Sequence, residues 1–171
     1  ADCGALWRQP IDRDALEWRL DCFHRPYHRA LAEELAAVRA RFGFAILIDL
    51  HSMPAIPPGH AGHGARIIVG DRFGATADAS LVELAIASAA VLREPVLRNQ
   101  PYAGGHIVRT HGRPDDGVHA IQIEIDRSLY LTAERLPDAD RVARLARWFA
   151  DFLAEAGQWR PDAELLPQAA E

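Results

Sequence analysis

The chain has 171 residues, 49% hydrophobic and 25% charged, enough for one hydrophobic core and short for two domains. A formal net charge of -5 and a pI near 5.9 give no electrostatic reason to expect nucleic acid or an anionic membrane as partner, and small-molecule chemistry fits better. The two cysteines, Cys3 and Cys22, show neither CxxC spacing nor a disulfide-rich pattern, so a reducing cytoplasm is the default compartment and a thiolate metal site is not indicated. No apolar run is long enough to span a bilayer, and no basic-then-apolar leader is present. The chain opens Ala1-Asp2-Cys3-Gly4 without an initiator methionine, which fits a processed or partial chain.

From Asp12 to Arg41 the apolar residues Leu16, Leu20, Phe23, Tyr27, Leu31, Leu35 and Val38 recur at three- and four-residue steps. This predicts a helix capped by Asp12 and stopped at Gly43. Pro26 lies inside it and removes a backbone donor, so a kink or two helices meeting near Arg25 are expected. Phe44 to Asp49 is a nearly continuous apolar run, expected as a strand covered on both faces in a parallel sheet, with His51 just beyond it. Residues 54–65 are too rich in proline and glycine for regular structure and predict a surface loop beside the strand end. Arg66 to Val69 predicts a short strand, Gly70 to Gly74 a tight turn, and Asp78 to Leu92 an amphipathic helix capped by Asp78 or Ser80. A turn-rich link, Asn99 to Gly105, is followed by a predicted short strand, Ile107 to Arg109, and a longer one, Val118 to Ile125. Alternation in the last strand puts Ile121, Ile123 and Ile125 on one face and Gln122, Glu124 and Asp126 on the other. Val142, Leu145, Phe149, Phe152 and Leu153 mark a final helix from Asp138 to about Glu155, stopped by Gly157. The fold expected is α/β: a mixed, largely parallel sheet flanked by helices, in a single domain over residues 1–160 with a flexible tail over 161–171.

Strand ends in open α/β sheets are where polar groups converge on a ligand, so His51 and Glu124 lead the functional reading. His51, held by a rigid strand, suits a zinc ligand; the alternative is a histidine satisfying a loop hydrogen bond. Asp49 lies on the same face and can orient the imidazole or satisfy backbone donors. Glu124 is the general-base candidate, since an apolar setting raises a carboxyl pKa; its structural alternative is an ion pair with Arg127, Arg109 or Arg113. His60 and His63 can be drawn with His51 as a three-histidine set, but a flexible loop fixes ligand geometry poorly. His106, His111 and His119 alternate with Arg109 and Arg113 and can bind a carboxylate or form a solvated rim. His24 and His28, four apart, share a helix face and can chelate a metal or simply pack. Ser52 lacks the glycine-flanked turn of a serine nucleophile, and Gly70 to Gly74 and Gly104-Gly105 lack the lysine and spacing of a phosphate loop.

Five segments in order carry a resemblance. Asp49-Leu50-His51-Ser52-Met53-Pro54, Gly70-Asp71-Arg72-Phe73-Gly74, the stretch Asn99 to Arg109, Gly112-Arg113-Pro114 and the stretch His119 to Leu131, preceded by Pro26-Tyr27-His28, resemble the N-formylglutamate amidohydrolase family. The resemblance implies a zinc-carboxypeptidase-like α/β fold and metal-assisted hydrolysis of an N-formyl amide to formate and an amino acid. In the glutamate-processing members this reaction completes one route of histidine breakdown. Carried over by position, it implies His51 as ligand to zinc or another divalent metal and Glu124 as the catalytic carboxylate. Arginines would then hold the substrate carboxylates, and Arg72, Arg109 and Arg113 are the candidates for that role. The family's N-terminal Pro-His-Ser-Gly-like segment, acidic ligand and Asn-Arg pair have no counterpart here, so the chain is expected to be the C-terminal part alone. The alternative expectation is a catalytically incomplete remnant that binds an acidic metabolite or a protein partner through Arg72, Arg109 and Arg113.

Overall fold

A computed structural model of the chain describes residues 10–161. Cys3 and most of the predicted tail lie outside those residues. The N-terminal helical block is divided as Pro26 demands: α1 (Arg13–Arg19), a π-helical turn over Leu20–His24, then α2 (Arg25–Phe42), with Pro26 in the first turn of α2. Pro26 has no N–H to donate, and directly before it the Arg25 N–H reaches back five residues to the Leu20 carbonyl, so the wider π turn accommodates the proline within a continuous helical path. Asp12 caps α1 by accepting from the Ala15 N–H at 2.7 Å, and Gly43 ends α2 at a φ of 86°.

Four strands form the sheet: β1 (Ala45–Met53), β2 (Ile67–Gly70), β3 (Val96–Arg98) and β4 (Val118–Asp126), in the spatial order β1-β4-β2-β3. β1 runs parallel to β4 and β2 parallel to β3, while β2 and β4 are antiparallel, so the expected mixed, largely parallel sheet is present. Its helices are α3 (Ala79–Ser88), α4 (His106–His111) and α5 (Ala139–Gln158) together with α2. One face of the sheet carries Ile121, Ile123, Ile125, Ile67 and Val69, packed against Leu81, Val82 and Ala85 of α3 and Trp148, Phe152 and Ala156 of α5. Burial of each such side chain contributes about 1.5–3 kcal/mol, which makes this face the main source of stability. On the opposite face, Leu31 and Leu35 of α2 cover Ala45, Leu47 and Val118 at one end, and Met53, Ile56, Ala65 and Ile68 pack at the other. A polar strip of the sheet lies between these two apolar clusters.

Several expectations need correction. Ile107 to Arg109 is not a strand but the middle of α4, whose buried Val108 anchors a short helix that β-branched residues alone would not favour. Gly112 at its end admits a close approach to Thr76, where an added Cβ would sit 2.5 Å from the Thr76 Cβ. β1 is longer than expected and includes His51 and Ser52. Over Phe44 to Asp49 both of its faces are covered as expected, with Ile46 and Ile48 against the main core and Ala45 and Leu47 under α2, but among the described residues it is an edge strand that pairs on one side only, and beyond that run Leu50 is 49% exposed. The three-residue strand β3 has no alternation long enough to announce it. Gly157 does not stop α5, which continues to Gln158. The apolar stripe of the first helices is buried only at Leu35, while Leu16, Phe23 and Tyr27 are exposed because no described element lies over them.

Candidate functional site

The parallel register of β1 and β4 sets His51 directly opposite Glu124 and Asp49 opposite Gln122. Period-two alternation then projects all four side chains onto the same face, in the strip between the two apolar clusters. His51 Nε2 lies 2.9 Å from Asp49 Oδ1, and its Nδ1 lies 3.9 Å from Glu124 Oε1. Gln122 Nε2 donates to Glu124 Oε1 at 3.0 Å, and the Gly105 N–H donates to Gln122 Oε1 at 2.7 Å. A chain of hydrogen bonds thus runs from the start of α4 to the carboxyl group of Glu124.

Glu124 is buried, and that burial is the main reason its pKa is raised; Asp49 raises it further, while His51, Arg127 and the Gln122 bond oppose the shift. Among the described residues the side chain that faces it is His51, 3.9 Å away, and no ion pair joins it to Arg127, Arg109 or Arg113. Arg127 instead donates to Ser52 Oγ at 3.3 Å, placing a guanidinium at the rim of the strip where its charge still reaches Glu124.

The remaining predicted residues are dispersed. Arg72, in a left-handed conformation with φ of 53°, donates to the Gly104 carbonyl at 3.0 Å, beside the Gly105 end of the hydrogen-bond chain. Arg109 is exposed on α4 and donates to His106 Nδ1 at 3.1 Å. Arg113 pairs with Asp116 at 3.3 Å and bridges to Val118 at the start of β4. Six residues of strand at ~3.3 Å each set that point roughly 20 Å from Glu124. Arg113 therefore stands apart from Glu124. His60 and His63 bond to carbonyls of their own loop, Pro58 and Ile56, and do not join His51. His119 belongs to the core, where its Nδ1 accepts from the Asp78 N–H at 3.2 Å and burial lowers its pKa.

A second gathering was only half visible in the sequence. His24 and His28 meet His106 across the α2–α4 junction, and one ligand-type nitrogen of each lies within 4.8 Å of the others. Among the described residues this is the set of three metal-ligating side chains that can hold an ion. The fourth histidine, His111, is buried and stacks on His28 with ring centroids 5.1 Å apart. Burial, followed by neighbouring histidines, lowers the pKa of both His28 and His111.

On the other side of the Gly70–Gln122 pair, Asp71 is completely buried and bonded on both oxygens. It accepts from Arg98 Nη2 at 2.7 Å, from Asn99 Nδ2 at 2.6 Å and from the Gly74 N–H at 2.9 Å. Burial works to raise its pKa, but the Arg98 and Asn99 bonds outweigh it and hold the group below its ordinary value.

The profile of the N-formylglutamate amidohydrolase family matches residues 1–131. Among curated proteins, the N-formylglutamate deformylase of Pseudomonas aeruginosa is 40% identical over 119 residues, covering 68% of this chain and 44% of its own length. The protein of the same name from Pseudomonas putida is 36% identical over 115 residues, 66% of this chain and 43% of its own. The chain therefore spans less than half the length of these relatives. The crystal structure of N-formylglutamate amidohydrolase from Ralstonia eutropha superposes with a TM-score of 0.76 at 28% identity, covering 89% of this chain and 56% of that one. A gene product of Agrobacterium tumefaciens, at 22% identity and a TM-score of 0.64, shares the fold.

Proposed function

The chain belongs to the N-formylglutamate amidohydrolase family, and from that premise we propose that it carries the base-bearing half of a site that hydrolyses the formyl amide of N-formyl-L-glutamate or a related N-acyl amino acid. The observation that supports this reading is the pairing of His51, across the β1–β4 register, with a buried Glu124 whose pKa is raised. His51 fits one position of a metal site: a carboxylate, Asp49, holds one ring nitrogen, as is usual for metal-binding histidines, and the other nitrogen faces Glu124. A catalytic zinc takes three protein ligands, so the other two are proposed to come from the part of the relatives' length that this chain does not span. Bound there, zinc or another divalent metal would polarise the formyl carbonyl and acidify a water. Glu124 takes a proton from the attacking water and delivers it to the leaving nitrogen as the C–N bond breaks, which yields formate and the free amine. Gln122 engages Oε1 of Glu124, so Oε2 is the atom proposed to move the proton. Arg127 at the rim and Arg72 beside Gly104 are proposed to meet substrate carboxylates, with Arg109, exposed on α4, as a further candidate. A cytoplasmic setting and a place in histidine breakdown are part of the same proposal.

The test is formate release from N-formyl-L-glutamate by the zinc-supplemented chain, with Glu124→Gln and His51→Ala beside it. Loss of a general base costs about 10²–10⁴-fold in rate, so turnover should fall by that factor in Glu124→Gln. Turnover that survives Glu124→Gln would remove the proposed role, and no turnover in the parent chain would show that this portion does not act by itself.

A further inference from the structure

The proposed chemistry uses His51 and leaves the α2–α4 histidines unexplained. We propose that His24, His28 and His106 form a second metal site, specific for a divalent transition ion of the zinc type, that clamps the N-terminal helices to α4. Three imidazoles within 4.8 Å of one another, from chain segments about 80 residues apart, converge on one point. Nitrogen-only donor sets suit zinc, cobalt, nickel and copper; calcium and magnesium need oxygen ligands, and no carboxylate joins the trio. His24 and His106 are exposed, so solvent reaches the fourth coordination position.

Two further features fit a ligand set. His28 Nδ1 lies 2.8 Å from Nε2 of the buried His111. In the tautomer where His28 donates that proton, its Nε2 carries a free lone pair and the ring is held in place, which is how outer-shell partners orient metal-binding histidines. The backbone also supplies a reason for the convergence, since the π turn ends at His24 and such turns often occur at functional positions. Arg109 at His106 Nδ1 and Thr110 Oγ1, 3.3 Å from Nε2, mark a cost: metal binding must displace one of these contacts, both on the exposed side of α4. This site lies in the helix layer, whereas His51 and Glu124 lie on the sheet, and the link between them is the Gly105 N–H bond to Gln122. A metal here would fix the start of α4 and through it the hydrogen-bond chain that ends at Glu124.

The experiment uses the tag-free His51→Ala chain, which cannot bind through the other site, titrated with Co²⁺ and then displaced by Zn²⁺. The expected result is one equivalent bound with the visible absorption of a low-coordinate cobalt site, a rise in Tm with metal, and loss of both in His28→Ala and His106→Ala. His111→Phe should weaken binding about 10–100-fold, as removal of an outer-shell partner does. His24→Ala and His106→Ala alter exposed residues, so both proteins should fold and keep the circular dichroism of the parent. Absence of binding in the His51→Ala chain, or binding that survives His28→Ala and His106→Ala together, would overturn the proposal. Neither result depends on turnover, so it stands apart from the fate of the hydrolytic reading.

Discussion

Asp71 and Glu124 are both buried carboxylates flanking the Gly70–Gln122 pair, and the molecule treats them in opposite ways. Asp71 receives a guanidinium, an amide and a backbone N–H, so its charge is matched and its pKa is lowered. Glu124 receives one amide and faces an exposed imidazole and another carboxylate, so burial dominates and its pKa is raised. Burial thus goes with a lowered pKa in one place and a raised pKa in the other. The difference comes from the number and charge of the donors supplied, which is what separates a stabilising group from a reactive one.

The largest expected effect lies at the matched group. Asp71→Ala leaves Asn99 Nδ2 and the Gly74 N–H without their acceptor and the partly exposed Arg98 without its partner, and should cost about 1–3 kcal/mol for each buried donor left unpaired, read in chemical unfolding. Next comes Gly70, where the two regions meet: an added Cβ would stand 2.7 Å from the Ala103 carbonyl carbon and 2.9 Å from the Gly104 nitrogen, both backbone atoms. Gly70→Ala should therefore cost about 1–3 kcal/mol and also disturb the Gly105 contact to Gln122. Asp12→Ala supplies the exposed control, a lost helix cap worth about 1 kcal/mol by the same measurement. The smallest effect should have the opposite sign, with Glu124→Gln slightly stabilising the fold at neutral and alkaline pH.

The two groups also oppose one another as pH changes. Asp71 has a folded-state pKa below its unfolded value, so its stabilisation is present above the ordinary aspartate range and fades as pH falls through it. Glu124 has a folded-state pKa above its unfolded value, so stability is greatest below the ordinary glutamate range and declines as pH rises through the folded value. Urea unfolding across pH should show the Asp71→Asn chain losing less stability than the parent on acidification. The Glu124→Gln chain should lose less on alkalinisation from acid toward neutrality.

Much of this contrast was legible in the sequence, and the parts that were not share a physical reason. The alternation in β4 assigned Glu124 and Gln122 to one face, and Asp12, Asp78 and Gly43 marked helix ends through local chemistry that needs no partner. His51 was placed just past its strand, an error of boundary that left its neighbours correct. The Asp71 knot is not legible because Arg98 ends a three-residue strand with no pattern of its own and Asn99 lies in the left-handed turn just after it. The helix at His106–His111 was read as a strand because Ile107 and Val108 are β-branched, while what fixes it is tertiary: burial of Val108 and close packing at Gly112. The four-histidine gathering shows the same limit, since spacing discloses His24 and His28 but not the fold that brings His106 and His111 to them.

The most direct test of the account is a carboxyl-carbon NMR titration of the chain, with Asp71 and Glu124 assigned from the Asp71→Asn and Glu124→Gln proteins. The account predicts that Glu124 titrates above the ordinary glutamate value and Asp71 below the ordinary aspartate value in the same sample. A Glu124 resonance that titrates at or below the ordinary glutamate value would contradict it.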